Sequence, residues 1–172
     1  MGSLKFQGYS VVFQEVPDEV SLVFNISGCP YKCRGCHSQN LWSDVGESLS
    51  DGFYRIFCRY ENLVTCICFM GGDWEENELI EYCDIAHACG LKTCLYTGAE
   101  SVSGKLLWNL DYIKVGPYIE ELGGLKSKTT NQRMYIVHHH PDEKVSLTDI
   151  TYRFLPPKDI VLHKENQIGD NS

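Results

Sequence analysis

The sequence predicts an α/β fold: a partial (β/α) barrel built on an open parallel sheet of about five or six strands, with helices on the outside. Short apolar runs of strand length alternate along the chain with stretches of helical periodicity. Strands that alternate with helices favour parallel pairing through right-handed crossovers. About five or six strands are too few to close an eight-stranded barrel, so the sheet is expected to stay open.

Apolar runs define the predicted strands. An N-terminal segment at 5–13 is a strand or an extended arm, and the first core strand follows at 20–26. The run at 65–70 is apolar throughout, which is typical of a buried parallel strand. The remaining predicted strands are 92–96, 111–115 and 132–137, with 150–155 as a candidate for one more.

Three helices are predicted between these strands. Ser50 is a candidate N-cap for the first, in which Phe53, Ile56, Phe57 and Tyr60 recur at helical spacing. The clearest helix covers 74–89, because acidic residues fill its first turn and Gly90 can end it. A short helix is predicted at 99–109.

The bulk properties limit the classes of function. A chain of 172 residues is long enough for one domain, to which we assign 1–163, with 164–172 as a polar, disordered tail. The net charge of −8 provides no basic stripe for phosphates, which excludes nucleic acid as the main partner. The N-terminal region holds no long apolar stretch, so neither a signal peptide nor a membrane span is expected.

Three of the nine cysteines, Cys29, Cys33 and Cys36, form a C-x3-C-x2-C loop after the strand at 20–26. Nine is an odd number and no secretory signal is recognised, which favours reduced thiols that bind metal over a disulfide scaffold. A structural zinc or a closed iron–sulfur cluster takes four protein ligands. Three cysteines on a [4Fe–4S] cluster leave one iron open. A zinc knuckle completed by His37 or by a distant cysteine is the alternative.

Two more motifs follow predicted strands, at the edge where parallel sheets bind ligands. Gly71-Gly72-Asp73 ends the run at 65–70, and its glycines let the backbone approach a ligand closely. A strand-to-helix turn capped by Asp73 is the structural alternative. Thr97 ends the strand at 92–96, where it lines a cofactor or only caps the strand.

The cysteine loop resembles the cluster loop of the radical S-adenosylmethionine superfamily, in which a Gly-Gly-acid segment holds the amino group of the cofactor. Other stretches resemble the activating proteins of anaerobic ribonucleoside-triphosphate reductases: a Gly-Pro-aromatic turn at 116–118, an Asn-Gln-Arg segment at 131–133, and Gly-Cys-His at 35–37 with Trp42 shortly after. The resemblance covers roughly residues 20–137.

The chain departs from this pattern at four positions. Asp73 replaces the more frequent Glu, Trp74 replaces Pro, and Ser38 stands where Asn is frequent. Val115 stands where many members have an acidic residue, so a ribose contact from that side chain is not expected. No role is carried over to Lys114.

The resemblance implies a cytoplasmic oxidoreductase that reductively cleaves S-adenosylmethionine at a [4Fe–4S] cluster. It would then generate a glycyl radical on the large subunit of an anaerobic ribonucleotide reductase. Cys29, Cys33 and Cys36 would bind the cluster. An electron donor such as flavodoxin or ferredoxin is implied, whereas nucleic acid and membrane are not. The residues implied at S-adenosylmethionine are Gly35, Gly71, Gly72, Asp73 and Thr97.

The polar loop at 120–133 is predicted to dock the reductase, with Asn131 and Arg133 as anchors. The alternative for Arg133 is that it only ties down the start of the strand at 132–137. A different glycyl-radical activase, a 7-carboxy-7-deazaguanine synthase-like enzyme and a zinc-binding adaptor remain as other functions. The six other cysteines are predicted to lie on apolar faces, and the histidines at 138–140 in a solvated loop.

Overall fold

The computed structural model describes residues 4–157. The predicted tail at 164–172 and the predicted domain end at 163 lie outside them. The strands are β1 (Lys5–Val12), β2 (Ser21–Ile26), β3 (Glu47–Ser48), β4 (Cys66–Met70), β5 (Lys92–Tyr96), β6 (Tyr112–Val115), β7 (Arg133–His139) and β8 (Val145–Asp149). The helices are α1 (Leu49–Tyr60), α2 (Glu76–Ala88) and α3 (Gly104–Trp108). Short 3-10 helices lie at Gln39–Trp42, Asp73–Glu75 and Thr151–Phe154.

The strands form one open sheet in the order β3-β1-β2-β4-β5-β6-β7-β8. The pairs among β2, β4, β5 and β6 are parallel. Four of the seven pairings are antiparallel: β1 with β2, β1 with β3, β6 with β7, and β7 with β8. The fold is therefore mixed α/β with an open sheet, and the predicted partial (β/α) barrel with a parallel sheet of about five or six strands is not confirmed.

The connections explain why the outer strands are antiparallel. Parallel neighbours need a long crossover, usually a helix. No helix lies in the described segment between β1 and β2 or in the loop between β6 and β7. The chain therefore reverses direction at both places. The absence of helical periodicity at 116–132 was the available signal for this reversal.

Several element predictions are corrected. The candidate strand at 150–155 is wrong, because Thr151–Phe154 forms a 3-10 helix. The last strand is instead β8, which lies just before it and pairs with β7. The residue that precedes α1 is Ser48, not Ser50. β7 continues to His139, so the predicted histidine loop is partly strand.

The two faces of the sheet carry different cores, because side chains alternate along each strand. On one face, Phe24 of β2 and Phe69 of β4 pack against Phe53 of α1. The opposite face carries a smaller cluster that includes Cys66, Cys94 and Tyr112. The predicted ligand residues follow the carboxyl ends of the parallel strands: the cysteine loop comes after β2, the segment at 71–73 after β4, and Thr97 after β5. In residues 4–157, no helix is both long enough and apolar enough to cross a membrane.

Candidate functional site

The cysteine loop follows β2 and folds back on itself through tight turns. Gly28 and Gly35 have positive φ angles of 83° and 73°, which glycine adopts without steric cost. The amide of Cys36 donates to the carbonyl of Cys33 at 3.1 Å, and the amide of Cys29 donates to Leu41 at 2.9 Å. These bonds hold the three cysteines in one short loop at the end of β2.

Cys29, Cys33 and Cys36 all line one cavity of about 190 Å³, which we call the cysteine cavity. Its floor is a row of side chains across three parallel strands, Met70, Tyr96 and Lys114, which are register partners in the sheet. The other lining residues are Ile26, Tyr31, Ser38, Leu41, Trp42, Gly71, Trp74, Thr97, Gly98, Tyr118 and Gln132. The sequence prediction that these strand ends meet at one site therefore agrees with the geometry.

Tyr31 connects the cysteine loop to the two other motifs. Its hydroxyl donates to a carboxylate oxygen of Asp73 and accepts a hydrogen bond of 3.4 Å from the hydroxyl of Thr97. Burial, together with the hydrogen bond to Asp73, raises the pKa of Tyr31 to about 12. The hydroxyl therefore stays protonated and remains a donor across the neutral range. No pattern in the sequence singles out this tyrosine.

The two glycines of the Gly-Gly-Asp turn have different environments. Both have positive φ, 97° for Gly71 and 103° for Gly72. Gly71 lines the cysteine cavity. A Cβ atom on Gly72 would instead lie 3.2 Å from Leu79 and 3.3 Å from Leu4, in the core. Gly71 is thus the glycine whose backbone borders the cavity, and Gly72 shapes the turn behind it.

Lys114 is the most notable residue that the sequence interpretation passed over. Its side chain is buried with 8% exposure, and its ammonium donates to the carbonyls of Gly116 at 2.8 Å and Thr97 at 3.3 Å. Burial lowers the pKa of Lys114 to about 8, against the opposing charge of the three cysteines. Strand alternation was the available signal, because it places Lys114 on the same face as Tyr112.

A second, larger cavity of about 470 Å³ adjoins the first. Cys36, Tyr96 and Lys114 line both cavities. Gln132 also lines both; it is buried, and its amide donates to the carbonyl of Gly116 at 3.4 Å. We call this second cavity the outer cavity, and it adds room for a ligand beside the cysteine loop.

The two predicted docking residues are engaged within their own loop. Asn131 donates to the carbonyl of Pro117 at 2.9 Å. The guanidinium of Arg133 donates to the carbonyls of Thr130 at 2.7 Å and Gln132 at 2.8 Å, and it lies 3.7 Å from Asp149. These contacts are the ones expected if Arg133 ties down the start of β7. Gly35, predicted at the cofactor, does not line the cysteine cavity, and a Cβ atom added there would lie 2.9 Å from the carboxyl carbon of Glu120.

The remaining cysteines divide into two groups. Cys66, Cys68, Cys83 and Cys94 are buried as predicted, and burial raises the pKa of the Cys83 thiol to about 12. The predictions for Cys58 and Cys89 are wrong, because both are exposed. Cys58 lies off the buried stripe of α1, and Cys89 is the capping residue that follows the last residue of α2.

A metal ion and an iron–sulfur cluster require different arrangements of ligands from the residues of the cysteine cavity. In residues 4–157, no group of three or more His, Cys, Asp or Glu side chains is arranged so that it could hold a metal ion. A [4Fe–4S] cluster has a different requirement, because each cysteine binds a different iron and the sulfurs need not converge on one point. The described lining of the cysteine cavity offers three cysteines and no competing His, Asp or Glu.

Among the buried polar atoms that lack a partner in the described part of the chain, one belongs to Trp42, which lines the cysteine cavity, and another to Asp73, which does not line it but is hydrogen-bonded to Tyr31, which does. They are the second carboxylate oxygen of Asp73, an acceptor, and the indole nitrogen of Trp42, a donor. The nitrogen of Trp42 needs an acceptor and the oxygen of Asp73 needs a donor. The three cysteines of the cavity fit a three-cysteine cluster, and Trp42 offers a donor to a ligand beside it.

Comparison with known proteins yields no match: no family profile, no curated protein and no solved structure matches this chain.

Proposed function

We propose that this protein is a radical S-adenosylmethionine activase, which cleaves S-adenosylmethionine reductively and generates a glycyl radical on an anaerobic ribonucleotide reductase. The observation that carries the proposal is that three cysteines, with no other Cys or His in the described lining, share one cavity. Three thiolate ligands leave the fourth iron of a [4Fe–4S] cluster open to the cofactor. The cluster and S-adenosylmethionine supply the reductive cleavage of a C–S bond when bound.

In this proposal, the residues of the protein position the cluster and the cofactor and supply charge. Cys29, Cys33 and Cys36 hold the cluster, and the backbone at Gly71 lies beside it. The partnerless oxygen of Asp73 accepts from the amino group of the cofactor, while Tyr31 fixes that carboxylate through its other oxygen. Thr97 lines the cavity and supports Tyr31. Gly35 and Gly72 contribute the turns that allow these placements.

The fold is consistent with this proposal at the level of its central strands. β2, β4, β5 and β6 are parallel and place their carboxyl ends at the cavity, as a partial (β/α) barrel would. β1, β3, β7 and β8 then extend that unit on both sides. The outer cavity supplies room for the rest of the cofactor and for a segment of the reductase.

We further propose a cytoplasmic location, where the thiols stay reduced. The electron comes from a donor such as flavodoxin or ferredoxin. The loop at 120–133 faces the reductase, with Asn131 and Arg133 contributing to docking. Arg34 connects this loop to the cysteine loop, through ion pairs of 3.5 Å with Glu120 and Glu121. Those pairs are exposed and contribute little energy, but they place the two loops side by side.

The test starts with anaerobic reconstitution of three proteins: wild type, Cys33→Ala and Cys58→Ala. Cys58 is the matched control because it is exposed on α1. We expect about four irons per chain and a broad absorption near 400 nm in wild type and Cys58→Ala, and loss of both in Cys33→Ala. Zinc in place of iron, or equal iron loss from both variants, contradicts the cluster assignment.

The second stage tests the reaction itself. Wild-type protein is incubated anaerobically with S-adenosylmethionine, a reductant and the reductase, and electron paramagnetic resonance is recorded. A glycyl doublet that depends on all four components supports the activase function. Cleavage of S-adenosylmethionine without any glycyl signal points to a radical enzyme with another substrate.

A further inference from the structure

Lys114 is a buried cation without a described counter-charge. Its hydrogen bonds go to two backbone carbonyls, and no ion pair to Lys114 occurs within residues 4–157. The cysteine cavity that it lines has no carboxylate among its described residues. The outer cavity has Glu15, whose carboxylate accepts from the amide of Gln14.

Burial of an ammonium group away from water is expensive unless an opposite charge compensates it. Lys114 shares the cysteine cavity with Cys29, Cys33 and Cys36. These side chains are negatively charged when they bind metal, because the thiolate is the ligand. The missing counter-charge of Lys114 is therefore provided when the cysteine site is filled.

We infer that Lys114 is the counter-cation of the cysteine site and that it raises the reduction potential of the cluster bound there. This inference rests on the proposed function. The redox step is the gain of one electron from the external donor, with no bond formed or broken. It makes the site more negative by one charge. A fixed cation in a low-dielectric cavity stabilises the reduced state more than the oxidised state.

The electrostatic contribution can be separated from other roles by the choice of variants. Lys114→Met and Lys114→Gln both remove the charge, and the glutamine can still donate to the Gly116 carbonyl. Lys32→Met is the matched control, because Lys32 lies in the cysteine loop itself but is exposed. Solvent screens an exposed charge far more than a buried one.

The experiment is an anaerobic redox titration of the reconstituted proteins, followed by electron paramagnetic resonance of the reduced cluster. S-adenosylmethionine is left out, so that no contact between the lysine and the cofactor contributes. We expect both Lys114 variants to make the reduction equilibrium at least about tenfold less favourable, which is 59 mV for a one-electron couple. Lys32→Met should change it by less than twofold.

Each remaining outcome of the titration supports or overturns the inference. Unchanged potentials in both Lys114 variants, or an equal shift in Lys32→Met, overturn the inference while leaving the proposed function intact. If both Lys114 variants lose the cluster, their metal-free forms are compared with wild type by thermal unfolding. A wild-type fold supports the counter-cation role, and a lost fold overturns it in favour of a structural one. A wild-type protein that binds no cluster refutes both proposals.

Discussion

The hydroxyl of Tyr31 donates a hydrogen bond to the carboxylate of Asp73, which lies 42 positions further along the chain. Tyr31 belongs to the cysteine loop and Asp73 to the turn after β4. One hydrogen bond thus joins the proposed cluster ligands to the proposed cofactor site. The loop and the turn should therefore respond together to changes at either residue.

Tyr31→Phe removes this bond and leaves both carboxylate oxygens of Asp73 without a described partner. We expect the free energy of unfolding to fall by about 1–3 kcal/mol. Binding of S-adenosylmethionine, measured by anaerobic calorimetry, should weaken while the iron content stays unchanged. Tyr54→Phe is the control, since Tyr54 is 55% exposed. Iron loss in Tyr31→Phe, with unchanged cofactor affinity, would contradict this division of roles.

Gly98 is required because the ring of Tyr31 lies against it. A Cβ atom at Gly98 would lie 2.6 Å from the ring of Tyr31, whereas one at Gly104 would meet nothing within 4 Å. Gly98→Ala should displace Tyr31, lower the melting temperature and weaken cofactor binding. Gly104→Ala should raise stability slightly, by about 0.4–1 kcal/mol, through the entropy of the unfolded chain. Thermal unfolding of the pair is the measurement, and equal effects of the two changes would exclude the close contact.

His87 and Asp111 form a pH-dependent link, in which the imidazole Nε2 lies 2.9 Å from a carboxylate oxygen. The hydrogen bond to Asp111 raises the pKa of His87 above 6.5 despite burial. Burial alone would raise the pKa of Asp111, but hydrogen bonds from His87 and the Thr93 amide outweigh it and leave that pKa below 3.8. Both side chains are therefore charged, and the ion pair is complete, between pH 3.8 and pH 6.5.

The raised pKa of His87 and the lowered pKa of Asp111 make the free energy of unfolding depend on pH. The His87 contribution is fully present below pH 6.5 and is lost as pH rises through its higher folded pKa. The Asp111 contribution is present above pH 3.8 and is lost as pH falls through its lower folded pKa. Urea titrations of wild type and His87→Gln should differ by less than about 1 kcal/mol, because both groups are partly exposed. That difference should shrink at alkaline pH, and a difference that does not change with pH would contradict the link.

Arg133→Ala tests the docking hypothesis against the contacts within the loop. Docking predicts a sharp loss of glycyl radical on the reductase, with cleavage of S-adenosylmethionine nearly unchanged. A purely structural role predicts loss of amide protection at 120–132 in hydrogen exchange, because the bonds to Thr130 and Gln132 are lost. Arg59→Ala, an exposed change on α1, is the control. If both activities and the protection fall together, the docking role is wrong.

Local sequence patterns sufficed for elements whose burial is periodic. The run at 92–96 is β5 itself, since Gly90 and Thr97 bracket an apolar stretch of strand length. α1 was predicted from its apolar face, and α2 from its apolar face and its acidic first turn. The positions of the cysteine loop, Gly71 and Thr97 at one cavity were predictable too, because parallel strand ends meet at one edge.

Other features depend on tertiary contacts that no local pattern specifies. β7 runs antiparallel to β6 because the loop between them contains no helix. β8 is almost entirely exposed, so apolar content does not identify it. Lys114 and Tyr31 depend on neighbours far along the chain, and a lysine at a strand end is usually solvated. Their roles emerge only when the cavity is assembled.

The nine cysteines differ in exposure, so their reaction with an alkylating reagent reports on the state of the protein. Cys58 and Cys89 are open to an alkylating reagent in the folded protein, whereas Cys66, Cys68, Cys83 and Cys94 are buried. Cys29, Cys33 and Cys36 are partly accessible, and the proposed cluster would shield them. A single mass spectrum after brief alkylation therefore counts unfolded molecules from the core thiols. From the loop thiols, it counts the molecules whose site is filled.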